Sequence, residues 1–379
     1  MHHRSIAIIC AFPTGLNAGM LSVDLAAHQL LNTIKKVQTI TTTFFTTEAR
    51  IAFSIGNKNY LKYELLHDQS QLDKFDLILY WGDFGHWIKF AQNEWLKRQY
   101  DRQGKAQKTL SNWYKLYFLK GREDLMKKTI IYGGSIYGLD CKQIEDQEYV
   151  NSLKSLFSQC IWCSFRDIYS VNYINQLINK SKAELGADCS LLMTNELANS
   201  LTRYQNKMMP EEEYILSSFG RSNSGFLLNS LCYQLSEELK IKLVNFNWLD
   251  ERYPFSGKLE LIANCKILVT DIYHCALNGI REEKKVICFG KGSSRKIDTL
   301  SDKKKEVFFS QHMMSKNYYF IEEVHEASKA GEHAMKRLIN SVIDISNDSL
   351  YNKTSLNLIK QLSETSKKKL LEAINQALS

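Results

Sequence analysis

His274 lies in "ILVTDIYHCALNG" (267–279), where an apolar run ends in Thr270 and Asp271 and a histidine follows three residues after the aspartate. An imidazole titrates near neutral pH, so it can move a proton or donate a hydrogen bond to an anion. The β-branched run predicts a strand. Thr270 and Asp271 are good helix caps, because their side-chain oxygens accept free amides of a first turn. His274 is then expected in the first turn of a helix at the carboxyl end of a strand, the edge where open α/β sheets bind ligands. The competing expectation is a packed core histidine, and this stretch alone leaves both open.

Other polar loops follow apolar runs. "PTGLNAGMLSVD" (13–24) offers Asn17 and Gly19 for a tight turn with free amides. Asp24 follows as a candidate base, and the loop lacks the dinucleotide spacing. In "YWGDFGHW" (80–87), Gly82 lets the backbone approach a ligand, Asp83 can hold or deprotonate a sugar hydroxyl, and His86 follows. The alternative there is a glycine turn with a capping aspartate. "SFRDIYS" (164–170) sets Arg166 at a strand end, where a guanidinium can fork onto a carboxylate or phosphate. "FGRSNSGF" (219–226) does the same with Arg221. "FGKGSSRKID" (289–298) gathers Gly290, Ser293, Ser294, Arg295 and Lys296. Small residues, hydroxyls and cations after a strand favour phosphate, although the Walker spacing is absent.

Those loops need a scaffold, and the pattern supplies one. Short apolar runs ("SIAIICAF", "QTITTTFF", "FDLILYWG", "KTIIYGG", "CIWCSF") alternate with helical patterns, such as the stripe Val23, Ala27, Leu30, Leu31, Ile34. The rhythm fades over 195–212 and restarts with "EYILSSFG", the Leu228, Leu231, Leu235, Leu239 stripe, "KLVNF", "KILVT", "KVICF" and "NYYF". This predicts an α/β chain of two Rossmann-like domains facing a central cleft, the GT-B-like architecture. The expected bounds are 1–195, with a helical, aromatic insertion near the cleft or surface at about 87–125, then 212–345, then a helical tail at 346–379.

The bulk numbers exclude several classes. With 379 residues, more than one core is expected. A formal charge of +8 is too mild for a nucleic-acid footprint, yet suits an anionic substrate. Nine cysteines without a secretory leader point to reduced thiols in the cytoplasm. "CIWC" has no second pair or nearby histidine, so no metal site is expected, and alternation on a buried strand accounts for it. The run Lys367-Lys368-Lys369 is read as a solvated face, with a peripheral contact at the inner face of the cell membrane as the bolder alternative.

In order along the chain, "GLNAGM", "DLILYWGDFG", "IIYGGSIYG", "SFRDIYSVNYINQL", "GADCSLL" and "LVTDIYHCALNGIREEKKVICFG" resemble the motifs of the polysaccharide pyruvyl transferase family. The resemblance spreads over about residues 5 to 300. It implies a GT-B-like fold and transfer of a pyruvyl unit from phosphoenolpyruvate to a sugar of a capsule, exopolysaccharide or lipid-linked precursor, with no cofactor. It also implies Arg166 and His274 as functional positions.

Within that expectation His274, Asp83 and Asp24 are the candidate catalytic groups. Arg166, Arg221 and the 290–296 loop hold the donor. Asn17, Gly82, His86 and Tyr273 hold the acceptor. One departure stands out: many family members carry arginine two residues before the histidine, and here that position is Ile272. The runner-up is a glycosyltransferase using a nucleotide sugar on the same fold. A carbohydrate-binding protein, stacking sugars on the aromatic insertion, is the third class.

Overall fold

The computed structural model describes residues 4–10, 18–35, 39–47, 52–54, 60–82, 85–98, 108–136, 146–194, 210–250, 255–292 and 300–379. The chain divides into two compact units. Met1–Gly15, Met20–Met193 and Leu362–Ser379 form the first, and Leu16–Gly19 with Thr194–Gln361 form the second.

The first unit runs β1 (Arg4–Cys10), α1 (Ala18–Lys35), β2 (Ile40–Thr46), β3 (Ala52–Ser54), β4 (Tyr60–Lys62), β5 (Glu64–Leu65), β6 (Leu77–Trp81), α2 (Ile88–Phe90), α3 (Leu110–Phe118), α4 (Glu123–Met126), β7 (Thr129–Gly134), α5 (Gln147–Gln159), β8 (Trp162–Phe165), α6 (Ile168–Ile178) and β9 (Ala183–Leu185). β3 and β4 form an antiparallel hairpin. The other strands make one parallel sheet, ordered β5-β2-β1-β6-β7-β8-β9. β6 and β7 are buried along their whole length, as expected of parallel strands covered on both faces. The predicted stripe of α1 is buried throughout.

The second unit runs β10 (Tyr214–Ser218), α7 (Gly225–Leu239), β11 (Lys242–Asn245), α8 (Phe255–Asn264), β12 (Ile267–Thr270), α9 (Tyr273–Arg281), β13 (Lys285–Gly290), α10 (Leu300–Gln311), β14 (Tyr318–Phe320), α11 (Ile321–Ala330), α12 (Glu332–Asn347) and α13 (Ser349–Leu378). Its parallel sheet is ordered β11-β10-β12-β13-β14. The core places Leu228, Leu231 and Leu235 of α7 against Ile215, Val269, Ile287 and Phe289. α9 can lie close on the sheet because of Gly279, where a Cβ would come within 2.5 Å of Leu268 and 2.9 Å of Val286.

Three expectations change. The described part of the 87–125 insertion is helical, but Trp87, Trp95 and Trp113 are buried rather than presented to a ligand. The tail is not a separate piece. α13 begins in the second unit and ends in the first, where Leu370 and Ile374 are buried and Ser366 Oγ accepts the Ala187 amide at 3.0 Å. Lys369 pairs with Glu184 and Lys368 lies 3.9 Å from Glu372, as expected of a solvated face. Lastly, of the two cysteines of "CIWC" one, Cys163, is on a strand, while Cys160 caps the end of α5; both are buried free thiols. Among the described residues, no helix is long and apolar enough to cross a membrane.

Candidate functional site

Ligands of doubly wound sheets bind where the strand order reverses, outside the carboxyl ends of the two strands on either side. In the second unit that point lies between β10 and β12. The exit of β10 carries Arg221, and the exit of β12 carries Tyr273 and His274. In the first unit it lies between β1 and β6, and Gly82 follows β6 directly.

One side chain organises the reversal point of the second unit. The Asp271 carboxylate accepts three successive amides, Gly220 at 2.9 Å through Oδ1 and Arg221 and Ser222 at 3.1 and 2.8 Å through Oδ2. Asp271 is therefore not the cap of α9, contrary to expectation. The N-cap is Ile272, which has no side-chain cap bond. Thr270 Oγ1 instead accepts the Ile272 amide at 3.0 Å and donates to the Ser218 carbonyl at 2.7 Å. The reason is geometric: parallel neighbours bring the β10 exit beside the β12 exit, so the free amides nearest Asp271 belong to the other strand's loop. Arg221 keeps its side chain in solvent, with its backbone fixed.

His274 occupies the first turn of α9, as expected, and is buried. Tyr273, read as an acceptor contact, is buried too. Its ring packs edge-on to His274 with centroids 5.0 Å apart, and Lys304 Nζ lies over it at 4.7 Å. Gly19 groups with the second unit and sits directly on the histidine. A Cβ at Gly19 would come within 2.6 Å of the His274 Cβ, Cγ and Cδ2. Gly19 and His274 thus meet, and glycine permits the approach.

The 290 loop departs from the phosphate reading in its described part. Gly290 is small because the Tyr318 hydroxyl lies where a Cβ would be. The Gly292 amide already donates to the Glu322 carboxylate at 3.0 Å. Ser293, Ser294, Arg295 and Lys296 lie outside the described residues, as do Asn17 and Asp83.

In the first unit the "SFRDIYS" motif is an internal fastening. The Asp167 carboxylate caps α6 through the Ser170 amide at 2.8 Å and also accepts the Ser135 and Ser170 hydroxyls at 2.6 and 2.8 Å. Ser170 Oγ in turn accepts the Ile136 amide at 2.9 Å, so the β7 exit is held to α6. Arg166 is buried and pairs with buried Asp188 at 3.0 Å. The guanidinium read from the sequence as a cation for the donor is thus paired inside the unit.

Three more candidates on the first unit lie inside it. Asp24 is buried and accepts the Tyr63 hydroxyl at 2.6 Å, which suits an internal polar pair better than a base for a sugar hydroxyl. Burial and the Asp24 charge both push the Tyr63 hydroxyl well up. His86 is a core residue whose ring touches Tyr80, Tyr117, Phe118 and Phe157. Gly82 turns with φ +68° and would place a Cβ 2.9 Å from Val23, so the turn and the packing both require glycine. Among the described residues, no three histidine, cysteine, aspartate or glutamate side chains converge as a metal site.

The family model of polysaccharide pyruvyl transferase matches residues 21–293, more than half of the chain. The chain belongs to the polysaccharide pyruvyl transferase family. No curated protein matches it. Solved structures share the fold. UDP-GlcNAc 2-epimerase from Neisseria meningitidis bound to UDP-GlcNAc is 9% identical, with 98% of this chain and 100% of that one covered and a TM-score of 0.54. UDP-GlcNAc 2-epimerase from Methanocaldococcus jannaschii is 11% identical, with coverage of 95% and 99% and a TM-score of 0.54. An α,α-trehalose-phosphate synthase (UDP-forming) from Burkholderia vietnamiensis is 8% identical, with coverage of 100% and 98% and a TM-score of 0.51. At such identities the likeness is one of fold, that of two Rossmann-like α/β domains. For this pyruvyl transferase family member, sequence reasoning missed the hold of Asp271 on the 220–222 turn and the pairing of Asp188 with Arg166. Both aspartates stood in recognised motifs, but their partners are 22 to 51 residues away.

Proposed function

We propose that the protein transfers a pyruvyl group from phosphoenolpyruvate to two hydroxyls of a cell-surface saccharide or its lipid-linked precursor, closing a ketal. The carrying observation is the place of His274, at the strand-order reversal of the second unit and in the first turn of α9. Family membership supports the reaction class. The methylene carbon of the donor takes a proton and becomes a methyl group. One sugar oxygen bonds to the central carbon, and the second displaces phosphate from it. Of the two hydroxyl protons, one balances the new methyl group and the other leaves with phosphate.

We assign proton transfer to His274, whose imidazole suits that task. Arg221, fixed by its backbone and open at its guanidinium, is the described cation suited to the donor's carboxylate or phosphate. Arg295 and Lys296 are proposed as its helpers, and Asp83 as the group that receives the acceptor hydroxyl. The proposed setting is the cytoplasm, at the inner face of the membrane where lipid-linked saccharides are available.

A second reading, glycosyl transfer from a nucleotide sugar, is favoured by Ile272, an apolar and buried residue at the position where the family resemblance implies an arginine. The deciding experiment supplies phosphoenolpyruvate labelled at its central carbon together with candidate saccharides. Ketal-linked label with equimolar phosphate release supports pyruvyl transfer. Phosphate release without label in the saccharide, or glycosyl transfer from a nucleotide sugar, overturns it.

A further inference from the structure

A fully buried lysine ties together the strand exits that frame His274. Lys305, on α10, has no exposed surface. Its Nζ donates to the Asp271 carbonyl at 2.7 Å and to the Phe289 carbonyl at 2.8 Å, and pairs with Asp302 at 2.7 Å. An ammonium has three donors, and three acceptors meet it.

The placement of these acceptors is informative. The β12–β13 ladder ends at Thr270 opposite Cys288. Asp271 and Phe289 come next along the chain after that last pair, Asp271 just past β12 and Phe289 still in β13, where that strand pairs with β14. Lys305 links the two chains just beyond the end of their pairing. The link continues, because the Asp271 side chain holds the amides of residues 220–222. A single ammonium therefore connects the exits of β12 and β13 directly, and that of β10 through Asp271. A buried ion pair is a poor source of stability, since apolar replacements of similar volume are often neutral or better. Geometry is the better account of why a charge stands here.

We propose that Lys305 is a positioning residue that sets the spacing of the β12 and β13 exits and, through Asp271, the 220–222 turn. It thereby holds His274 and the Gly290 backbone in the arrangement used for turnover; this last step rests on the pyruvyl-transfer reading.

The test uses the full chain as wild type, Lys305→Met, and Lys305→Met with Asp302→Asn, the double variant removing both members of the buried pair. Amide hydrogen exchange should quicken by ~10-fold or more at Gly220, Arg221 and Ser222 while Leu216 and Val269 stay protected, the mark of a local opening. Uniform loss of protection, or none, overturns the proposal, as does failure of both variants to fold. The kinetic arm measures kcat with phosphoenolpyruvate with and without His274→Gln. A fall of ~10-fold alone but under ~2-fold in the His274→Gln background is the coupling expected of a residue acting through the histidine. Equal falls in both backgrounds contradict it. If wild type does not turn over phosphoenolpyruvate, the functional reading fails by itself and the exchange result still decides the clip.

Discussion

The Arg166 guanidinium meets the Asp188 carboxylate at 3.0 Å, with both side chains withdrawn from water. Asp188 also accepts the Ser190 amide and hydroxyl through its other oxygen, at 3.0 and 2.8 Å. The pair thus joins the β8 exit to the segment after β9. Removing one partner of a buried ion pair leaves the other charge uncompensated, at a cost of about 3–5 kcal/mol. Arg166→Ala is therefore expected to shift the denaturation midpoint strongly. A variant that unfolds at the wild-type denaturant concentration yet loses turnover would return Arg166 to the ligand.

Stability should fall in mild acid through two histidines. Burial holds His86 and His312 down to about 4, and for His86 a hydrogen bond to the Tyr117 backbone only partly offsets this. Above about pH 6.5 both are neutral whether folded or unfolded, so neither contributes a pH dependence. Between about 6.5 and 4 the unfolded chain binds protons that the folded chain refuses, so stability drops by up to about 1.4 kcal/mol per pH unit for each histidine. Below 4 this contribution levels off. His86→Phe, aromatic among aromatics, should remove its share of the slope in urea midpoints measured from pH 7 to 4. An unchanged slope would show that the ring is charged or exposed.

Much of the fold was legible because it repeats. Apolar runs of strand length and stripes such as Leu228, Leu231 and Leu235 signal a buried sheet with covering helices, and both sheets follow. The short β5 and β9, with two and three residues, carry too few apolar positions for a period to register. The place of His274, in the first turn of a helix after a strand, was legible, whereas its role was not, because the stretch left a packed histidine open. His86 was not, since a histidine between a glycine turn and a tryptophan reads alike in a loop or a core; the packing of the distant Phe118 and Phe157 decides it. Asp271 illustrates the same limit. Its residue type announces amide binding, but strand order selects which amides are near.

Gly19→Ala should separate catalysis from folding. Within a helix, alanine is favoured over glycine by about 1 kcal/mol, which works against the cost of the clash. The added methyl would nonetheless lie 2.6 Å from three His274 atoms, so the ring must move. A misplacement of ~1 Å can cost about 10²-fold in rate. The expected outcome is a melting temperature within a few degrees of wild type and a large fall in kcat. Normal turnover would mean that the position of His274 does not matter.

His274→Gln keeps similar size and one hydrogen-bonding amide. If the imidazole transfers a proton, kcat should fall by about 10²–10⁴-fold with near-normal unfolding. A variant that unfolds easily, while its folded fraction turns over normally, would make His274 a packing residue.

The central claim is the identity of the donor, and a ligand panel on the wild-type protein tests it most directly. A ligand that binds only the folded state adds about 2.7 kcal/mol at one hundred times its dissociation constant. Melting temperature is therefore measured with phosphoenolpyruvate, UDP, GDP and CMP in separate titrations. The account predicts a saturable rise with phosphoenolpyruvate and none with the nucleotides. A rise with a nucleotide and none with phosphoenolpyruvate would contradict it.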